Sequence, residues 1–376
     1  MSVRNVVKVL YAPHKVFQEI AQNQRFIGPL LIFVLLIIAG TASQYTASSK
    51  FYLQVTTPEG TNQTSPDPWT ESASYWISNA NVTTNSNDKK FGANSIQFND
   101  LNATEISMKL NATFSINCTG TQGYKNVTFA LKWIQPAGTA PSNVTIHLFN
   151  QNQNNYFYTN ISDEVDAFGN NTWGNVTVPL GPDAVQWSNN STQASWSYVT
   201  GFTMNTAWSE TARSNLTVLI ERMLFTSPNY KAFTELPGSS VATIALNSTI
   251  SFALYWMIFS LVLYVAARLS KVKGELKIFL IIVGYSLIAF FVMQLVLTAF
   301  YAAIPPLYIT FESAQPQSVF DLVVTVPYYA TLLFPIWSII IAAFGMRGVF
   351  NMTFRRGMIA AIIGFFPYYL LLLFGA

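Results

Sequence analysis

Charge is scarce in this sequence. Asp, Glu, Lys and Arg make up only 10% of its 376 residues, against roughly 25% in an ordinary soluble domain. Histidine and cysteine are scarcer still, limited to His14, His147 and Cys118. Each shortage removes a class of chemistry. Two separated histidines give no His–nucleophile pair and no His-rich cluster, so triad hydrolysis and zinc chemistry lack parts. One cysteine builds no disulfide framework. In a strand-like stretch it reads as a small buried apolar residue, with a nucleophile as the alternative. No Gly-rich loop with a following Lys is present, so nucleotide hydrolysis lacks its cradle. A glycosidase could work with two carboxylates alone, but nothing singles out a pair. No catalytic residue and no cofactor is assigned on these grounds.

What is abundant is apolar, at 51% of the chain, and it is unevenly placed. Residues 1–48 and 249–376 hold long apolar runs, whereas 49–248 are rich in Asn, Thr, Ser and Trp. A helix needs roughly 20 apolar residues to cross the hydrocarbon core. Five segments meet that length with no charge inside: Phe26–Tyr45, Thr249–Ala267, Ile278–Ile304, Leu322–Phe344 and Gly357–Phe374. The first could also be read as a signal peptide with Gly40 and Ala42 at cleavage positions, but the segment before it is long for an n-region. All basic residues outside the middle block fall on one side of this arrangement. They are Arg4, Lys8, Lys15 and Arg25, then Arg268, Lys271, Lys273 and Lys277, then Arg347, Arg355 and Arg356. The positive-inside rule places the N-terminus in the cytoplasm and the middle block and C-terminus outside. Such a basic flank suits a membrane surface rather than nucleic acid. Transporters and proton relays usually carry ionisable groups at mid-membrane, and these spans have none. Gln294 is the strongest polar side chain at depth and is expected to bond a neighbouring helix. Pro327, Pro335 and Pro367 each remove a backbone donor and are expected to kink or loosen their helices. They read as packing geometry, or as a hinge or lipid-facing groove.

Before the first span, Val16, Phe17 and Ile20 share one face and Lys15, Gln18, Glu19 and Gln22 the other. This is a short amphipathic helix started by Pro13, expected to lie on the inner membrane surface until the chain turns in at Gly28-Pro29. The phrases Tyr11-Ala12-Pro13-His14-Lys15-Val16-Phe17-Gln18-Glu19-Ile20 and Arg25-Phe26-Ile27-Gly28-Pro29-Leu30 resemble the opening of the Yip1 domain family. There a Pro-x-x-x-Phe-x-x-Ile helix precedes a Gly-Pro-Leu start of the first of five spans. The resemblance covers residues 1–48 and 249–376 and implies a trafficking or membrane-organising protein. Eukaryotic members bind Rab-type GTPases, work in vesicle transport and carry a long acidic cytosolic N-terminus. That segment is missing here, and a 200-residue insert fills the first external loop.

The insert carries fourteen Asn-x-Ser/Thr acceptors: Asn62, Asn81, Asn102, Asn111, Asn117, Asn126, Asn143, Asn160, Asn170, Asn175, Asn189, Asn190, Asn215 and Asn247. Only Asn351 fits outside it. That density favours a glycosylated surface domain, in agreement with the charge rule. With membrane anchoring it points to an archaeal or eukaryotic cell, and the short cytosolic tail favours the archaeal one. Eight segments alternate apolar and polar: Asn94–Phe98, Glu105–Leu110, Val127–Ile134, Val144–Phe149, Tyr156–Asn160, Asn175–Val178, Tyr198–Thr203 and Leu216–Arg222. Strands at this spacing without a helical stretch predict a two-sheet jelly-roll sandwich. Lys90-Phe91-Gly92-Ala93-Asn94-Ser95-Ile96, then Trp173-Gly174-Asn175-Val176-Thr177-Val178-Pro179-Leu180, resemble phrases of carbohydrate-binding-module and concanavalin-like sandwiches. That resemblance implies sugar stacking on exposed aromatics. Seven of the nine tryptophans lie in the insert. Trp133 sits inside an alternating strand and is expected in the core. Trp173, Trp187 and Trp208 are the candidate ligand-binding rings. Asp163, Glu164 and Asp166 could hold Ca²⁺ through oxygen ligands, or form a solvated acidic loop.

The fold expected is a five-span helical membrane protein with an inserted all-β sandwich, in the cell membrane. The function expected is non-enzymatic, with the sandwich binding a surface glycan or protein. A transporter or lipid-handling protein with an accessory domain, and a membrane-tethered glycosidase, are the alternatives. The lipid bilayer is the expected partner. Homo-oligomers or contacts with other membrane proteins stay open.

Overall fold

The computed structural model describes residues 3–22, 24–59, 67–236, 239–310 and 317–374. Along the chain, α1 (Val3–Tyr11), α2 (Pro13–Gln22) and α3 (Ile27–Ser48) lead to β1 (Phe51–Thr57). The one-turn helix α4 (Pro68–Glu71) precedes β2 (Trp76–Ser78), β3 (Asn81–Asn85), β4 (Ser95–Ala103), β5 (Glu105–Leu110), β6 (Asn126–Ile134), β7 (Asn143–Phe149) and β8 (Tyr156–Asn160). A second short helix, α5 (Ser162–Asp166), is followed by β9 (Gly174–Pro179), β10 (Ser188–Asn189), β11 (Gly201–Ala207) and β12 (Ser214–Ala232). Then come α6 (Val241–Leu269), α7 (Leu276–Ser286), α8 (Ile288–Ala303), β13 (Leu307–Ile309), α9 (Gln317–Phe350) and α10 (Phe354–Phe374). The chain divides into a helical unit (Met1–Tyr52, Ala232–Leu307, Gln315–Ala376) and a strand-built unit (Leu53–Lys231, Tyr308–Ala314).

Among the described residues of the helical unit, four stretches are long and apolar enough to cross a membrane: Ile27–Ser48, Val241–Leu269, Leu276–Ala303 and Asp321–Phe350. The 22 residues of α3 span about 33 Å at 1.5 Å per residue, enough for the hydrocarbon core. Helix α6 starts at Val241, before the expected Thr249. Ser240 caps it there, its hydroxyl accepting from the Thr243 N–H at 3.2 Å. Asn247 therefore sits on a helix and not in the insert.

Helix α9 runs through Pro327 and Pro335, and α10 through Pro367, without ending. A separate interruption falls at Leu287, between α7 and α8, where no proline stands. The Ser286 hydroxyl donates at 2.8 Å to the Val283 carbonyl, which also accepts from the Leu287 N–H at 3.1 Å. Ser338 Oγ donates to Ser286 Oγ at 3.0 Å, and Tyr255 Oη lies 3.0 Å from Ser338 Oγ. This buried chain ties α6, α7 and α9. Gln294 is buried, but its side chain makes no hydrogen bond among the described residues, so the helix contact expected of it is not seen.

The N-terminal motif has a packing reason. A Cβ added at Gly28 would lie 2.0 Å from the Tyr285 hydroxyl, and one at Gly284 would lie 2.5 Å from Pro29 Cβ. Glycine at both positions lets α3 and α7 touch backbone to side chain. Pro29 sits in the first turn of α3, where a missing N–H costs nothing. Helix α2 is amphipathic as expected, but its apolar face meets protein. Val16, Phe17 and Ile20 are all fully buried. A Cβ at Gly348 of α9 would come within 2.9 Å of Phe17 Cβ, and the Phe17 ring meets Tyr285 edge-on at 6.1 Å. The helix docks on the bundle instead of resting its apolar face on lipid.

The strand-built unit is an all-β sandwich of two sheets. One has seven strands: β13-β1-β12-β4-β3 in order, with β6 pairing β12 and β9 pairing β6. The other has six, ordered β10-β8-β7-β11-β5-β2. Alternation fills the space between them with Ile106, Met108, Ile146, Leu148, Phe157 and Met204 from one sheet and Ile96, Phe98, Phe129, Leu131, Val218 and Ile220 from the other. Trp133 is 1% exposed and donates to the Val165 carbonyl at 3.3 Å. Cys118 is fully buried, and burial pushes its thiol up to about 12, so it packs as an apolar group. The expected strand at Tyr198–Thr203 is displaced to Gly201–Ala207, because Val199 forms an isolated bridge to Ile116. Two one-turn helices, α4 and α5, interrupt what was expected to be helix-free.

Candidate functional site

Strands β7 and β8 form a hairpin whose register puts His147 opposite Tyr158 and Phe149 opposite Tyr156. Side chains alternate across a strand, so Ile146, Leu148 and Phe157 enter the core while these four rings share the outer face of the six-stranded sheet. Solvent-side positions of a half-buried strand normally carry polar residues. Here they carry a continuous aromatic group. His147 meets Tyr156 edge-on at 5.2 Å and lies near-parallel to Tyr158 at 6.2 Å, and Phe149 is 5.4 Å from Tyr156. Tyr158 is 40% exposed and the other three are half-buried.

The same face continues onto β11 and β5. Thr203, itself buried beneath its neighbours, lies between His147 and Lys109, and Asn205 between Thr145 and Ser107. The polar row is pre-ordered, with Ser107 Oγ donating to Asn205 Oδ1 at 2.7 Å. Gly201 stands beside Phe149 with no side chain to cover it; an added Cβ would lie 3.3 Å from Phe149 Cβ. Burial pushes the His147 imidazole below its usual range, so it is neutral at pH 7. Neither ring nitrogen has a hydrogen-bond partner among the described residues. One face thus offers four rings, a neutral donor–acceptor imidazole, one cation and a hydroxyl–amide row.

The three tryptophans expected to bind ligand are elsewhere. Trp208 is buried and donates to the Thr139 carbonyl at 3.0 Å, so it is a core residue. Trp187 is half-buried, donates to the Pro179 carbonyl at 2.7 Å and packs edge-on against Trp196 at 5.5 Å. Trp173 donates to Asp88 Oδ1 at 3.0 Å. Asp88 also accepts from Lys132 at 2.8 Å. Burial raises that carboxyl, but these two donors outweigh it and hold Asp88 below the usual range. Each indole N–H therefore serves the sandwich itself. Asp163, Glu164 and Asp166 ride the single turn of α5, where successive positions point about 100° apart, and all three are exposed. Among the described residues no group of three acidic, His or Cys side chains converges on a metal position.

In the helical unit, Phe17, Gly28 and Pro29 form the buried joint between α2, α3, α7 and α9 described above. The Yip1 domain model matches residues 186–376. The chain belongs to the Yip1 domain family. The match starts inside the sandwich, at Gln186, and does not include the N-terminal phrases that carried the resemblance. No curated protein matches this Yip1-family chain significantly. Among solved structures, its neighbours include carbohydrate-binding-module sandwiches and parts of glycoside hydrolases. A family 11 module of a Clostridium thermocellum cellulosomal cellulase has 10% identity and TM-score 0.28, over 41% of this chain and 88% of that one. A family 30 carbohydrate-binding module has 14% identity and TM-score 0.31, over 48% and 89%.

The glycosylation candidates of this Yip1-family protein fall on accessible backbone. Asn81, Asn102, Asn111, Asn117, Asn143, Asn160, Asn170, Asn175, Asn189, Asn190 and Asn215 are exposed and Asn126 is half-buried, whereas Asn247 lies on the apolar helix α6. Asn62 lies outside the described residues.

Proposed function

We propose that this Yip1-family chain is a non-enzymatic, five-span cell-membrane protein whose external sandwich binds glycan on the outer face of its six-stranded sheet. The observation that carries this reading is the His147–Phe149–Tyr156–Tyr158 group beside the Thr203, Asn205 and Lys109 side chains. Sugar rings present C–H groups to an aromatic's negative face and hydroxyls to polar neighbours, and this face supplies both. Helix α10, with 21 residues, serves as the fifth span. Basic loops then lie in the cytoplasm, and the sandwich and C-terminus lie outside.

The binding test uses the full chain in phosphatidylcholine nanodiscs on a glycan array, followed by titration of the best ligand. Tyr156→Ala and His147→Ala should each weaken binding about tenfold, or about 1.4 kcal/mol, while Trp187→Phe should leave it unchanged. A blank array with correctly folded protein refutes glycan recognition. Topology is checked separately with single cysteines, since the buried Cys118 gives no background. A membrane-impermeant maleimide on intact cells should label exposed Thr121→Cys, and Ser270→Cys only after permeabilisation. The reverse labelling pattern would invert the topology.

A further inference from the structure

An open cavity of about 840 Å³ lies in the helical unit, between α2, the end of α9 and the α9–α10 connection. Its volume is in the range of small-molecule sites, roughly 300–1,000 Å³. Arg347, His14, Gln18, Asn351 and Thr353 line it, over an apolar floor that includes Phe344 and Phe354. These two floor rings touch at 4.7 Å.

Among the described residues no acidic side chain lines this cavity. Among the described residues Arg347 has no carboxylate within ion-pair distance, and the side chains of His14, Gln18 and Asn351 make no hydrogen bond. Four polar groups, all exposed, therefore line one open space with no partner among the described residues. A second cavity, of about 660 Å³, shares Met352 with the first; it carries Lys271 and Arg356 and again no acid. The basic residues Arg347, Arg355, Arg356 and Lys271 thus surround one short connection, residues 351–353, at the end of the membrane helices. A cavity lined by a cation, polar side chains and two aromatic rings, beside the ends of the long apolar helices, suits an anionic group joined to an apolar body.

We propose that this cavity binds a phosphate group, with Arg347 as its principal ligand and Gln18 and Asn351 completing the cradle. An arginine fork takes two phosphate oxygens at once, and basic pockets at the ends of membrane helices hold anionic headgroups in this manner. The apolar floor favours a phosphate carried on a glycerolipid. Inorganic phosphate shares the chemistry and would occupy the rim alone.

The test is a titration of the full chain in phosphatidylcholine nanodiscs with dioctanoyl phosphatidic acid, dioctanoyl phosphatidylcholine and inorganic phosphate, read by microscale thermophoresis. Phosphatidic acid should bind at least tenfold tighter than phosphatidylcholine. Arg347→Gln should lose about tenfold of that affinity, and Gln18→Ala/Asn351→Ala should lose several-fold with an unchanged thermal midpoint. Inorganic phosphate binding as tightly as phosphatidic acid, and sensitive to Arg347→Gln, would identify the free anion as the ligand. Equal binding of both lipids without phosphate binding, or phosphatidic acid affinity unchanged in both variants, would overturn the proposal.

Discussion

Phe17→Ala should cost about 3–5 kcal/mol of the free energy that docks α2, the range for deleting a fully buried phenyl ring. Phe17 is 0% exposed. Its ring fills the space left by two glycines of α9: an added Cβ at Gly345 would lie 3.2 Å from the ring, and one at Gly348 would lie 2.9 Å from Phe17 Cβ. Removing the ring leaves a void between helices that cannot close, because Ile282 and Tyr285 are held by their own helix. The loss falls on a ten-residue helix whose remaining anchors are Val16, Ile20 and the Lys8–Glu19 ion pair. That pair is partly exposed and contributes little. Local opening should therefore precede unfolding of the bundle. Trypsin applied to the purified chain should cut at Lys15 and Arg25 at least a hundredfold faster in the variant, with the long helices intact. Gly348→Val should act in the same direction by pushing α2 away. An unchanged cleavage rate in both variants would mean that α2 is held by something other than this ring.

The difference between an amphipathic helix on lipid and one docked on protein is not visible in a single helix's pattern. Both need the same apolar stripe. What settles it is the small-residue patch Gly345–Gly348, more than three hundred residues downstream in the sequence. The same limit applied to the ligand face. Composition drew attention to tryptophan, but a large ring near a loop is as useful in a core as on a surface, and Trp208 went to the core. The better signal was parity. His147, Phe149, Tyr156 and Tyr158 occupy the polar phase of two strands that sequence alternation had located, with β5 and β8 at their observed bounds. Aromatic residues at positions that owe nothing to the core call for an external explanation. Spans and strands were legible because each is a local period. Strands β1, β2, β3, β10 and β13 were not, since all but β1 and β3 have three residues or fewer and exist only through their partners.

Asp67→Asn should abolish a pH dependence of sandwich stability worth on the order of 4 kcal/mol. Asp67 is the N-cap of α4 and is 1% exposed. Its carboxylate accepts from the Thr70 N–H at 3.0 Å and from the Thr70 hydroxyl, which itself accepts from the Arg222 N–H at 2.8 Å. Arg222 sits at the β12 bulge with φ 56°, next to buried Glu221. Burial dominates and raises Asp67 from 3.8 to about 7; the Thr70 hydrogen bonds oppose it and Glu71 adds to it. The unfolded chain ionises near the lower value. Folding therefore takes up a proton between about pH 4 and pH 7. The stabilisation is fully present below pH 4 and is lost as pH rises through about 7. Glu221 is raised by burial too, against the N–H groups of Lys90 and Phe91, so it tilts the wild-type curve the same way. Asparagine keeps the acceptor for Thr70 N–H and cannot ionise. The thermal midpoint of the variant should exceed that of the wild type at pH 8, fall to or below it at pH 5, and leave only the Glu221 slope. Parallel midpoint curves across that interval would show that Asp67 is already ionised in the folded protein, and that the cap and bulge tolerate a buried charge.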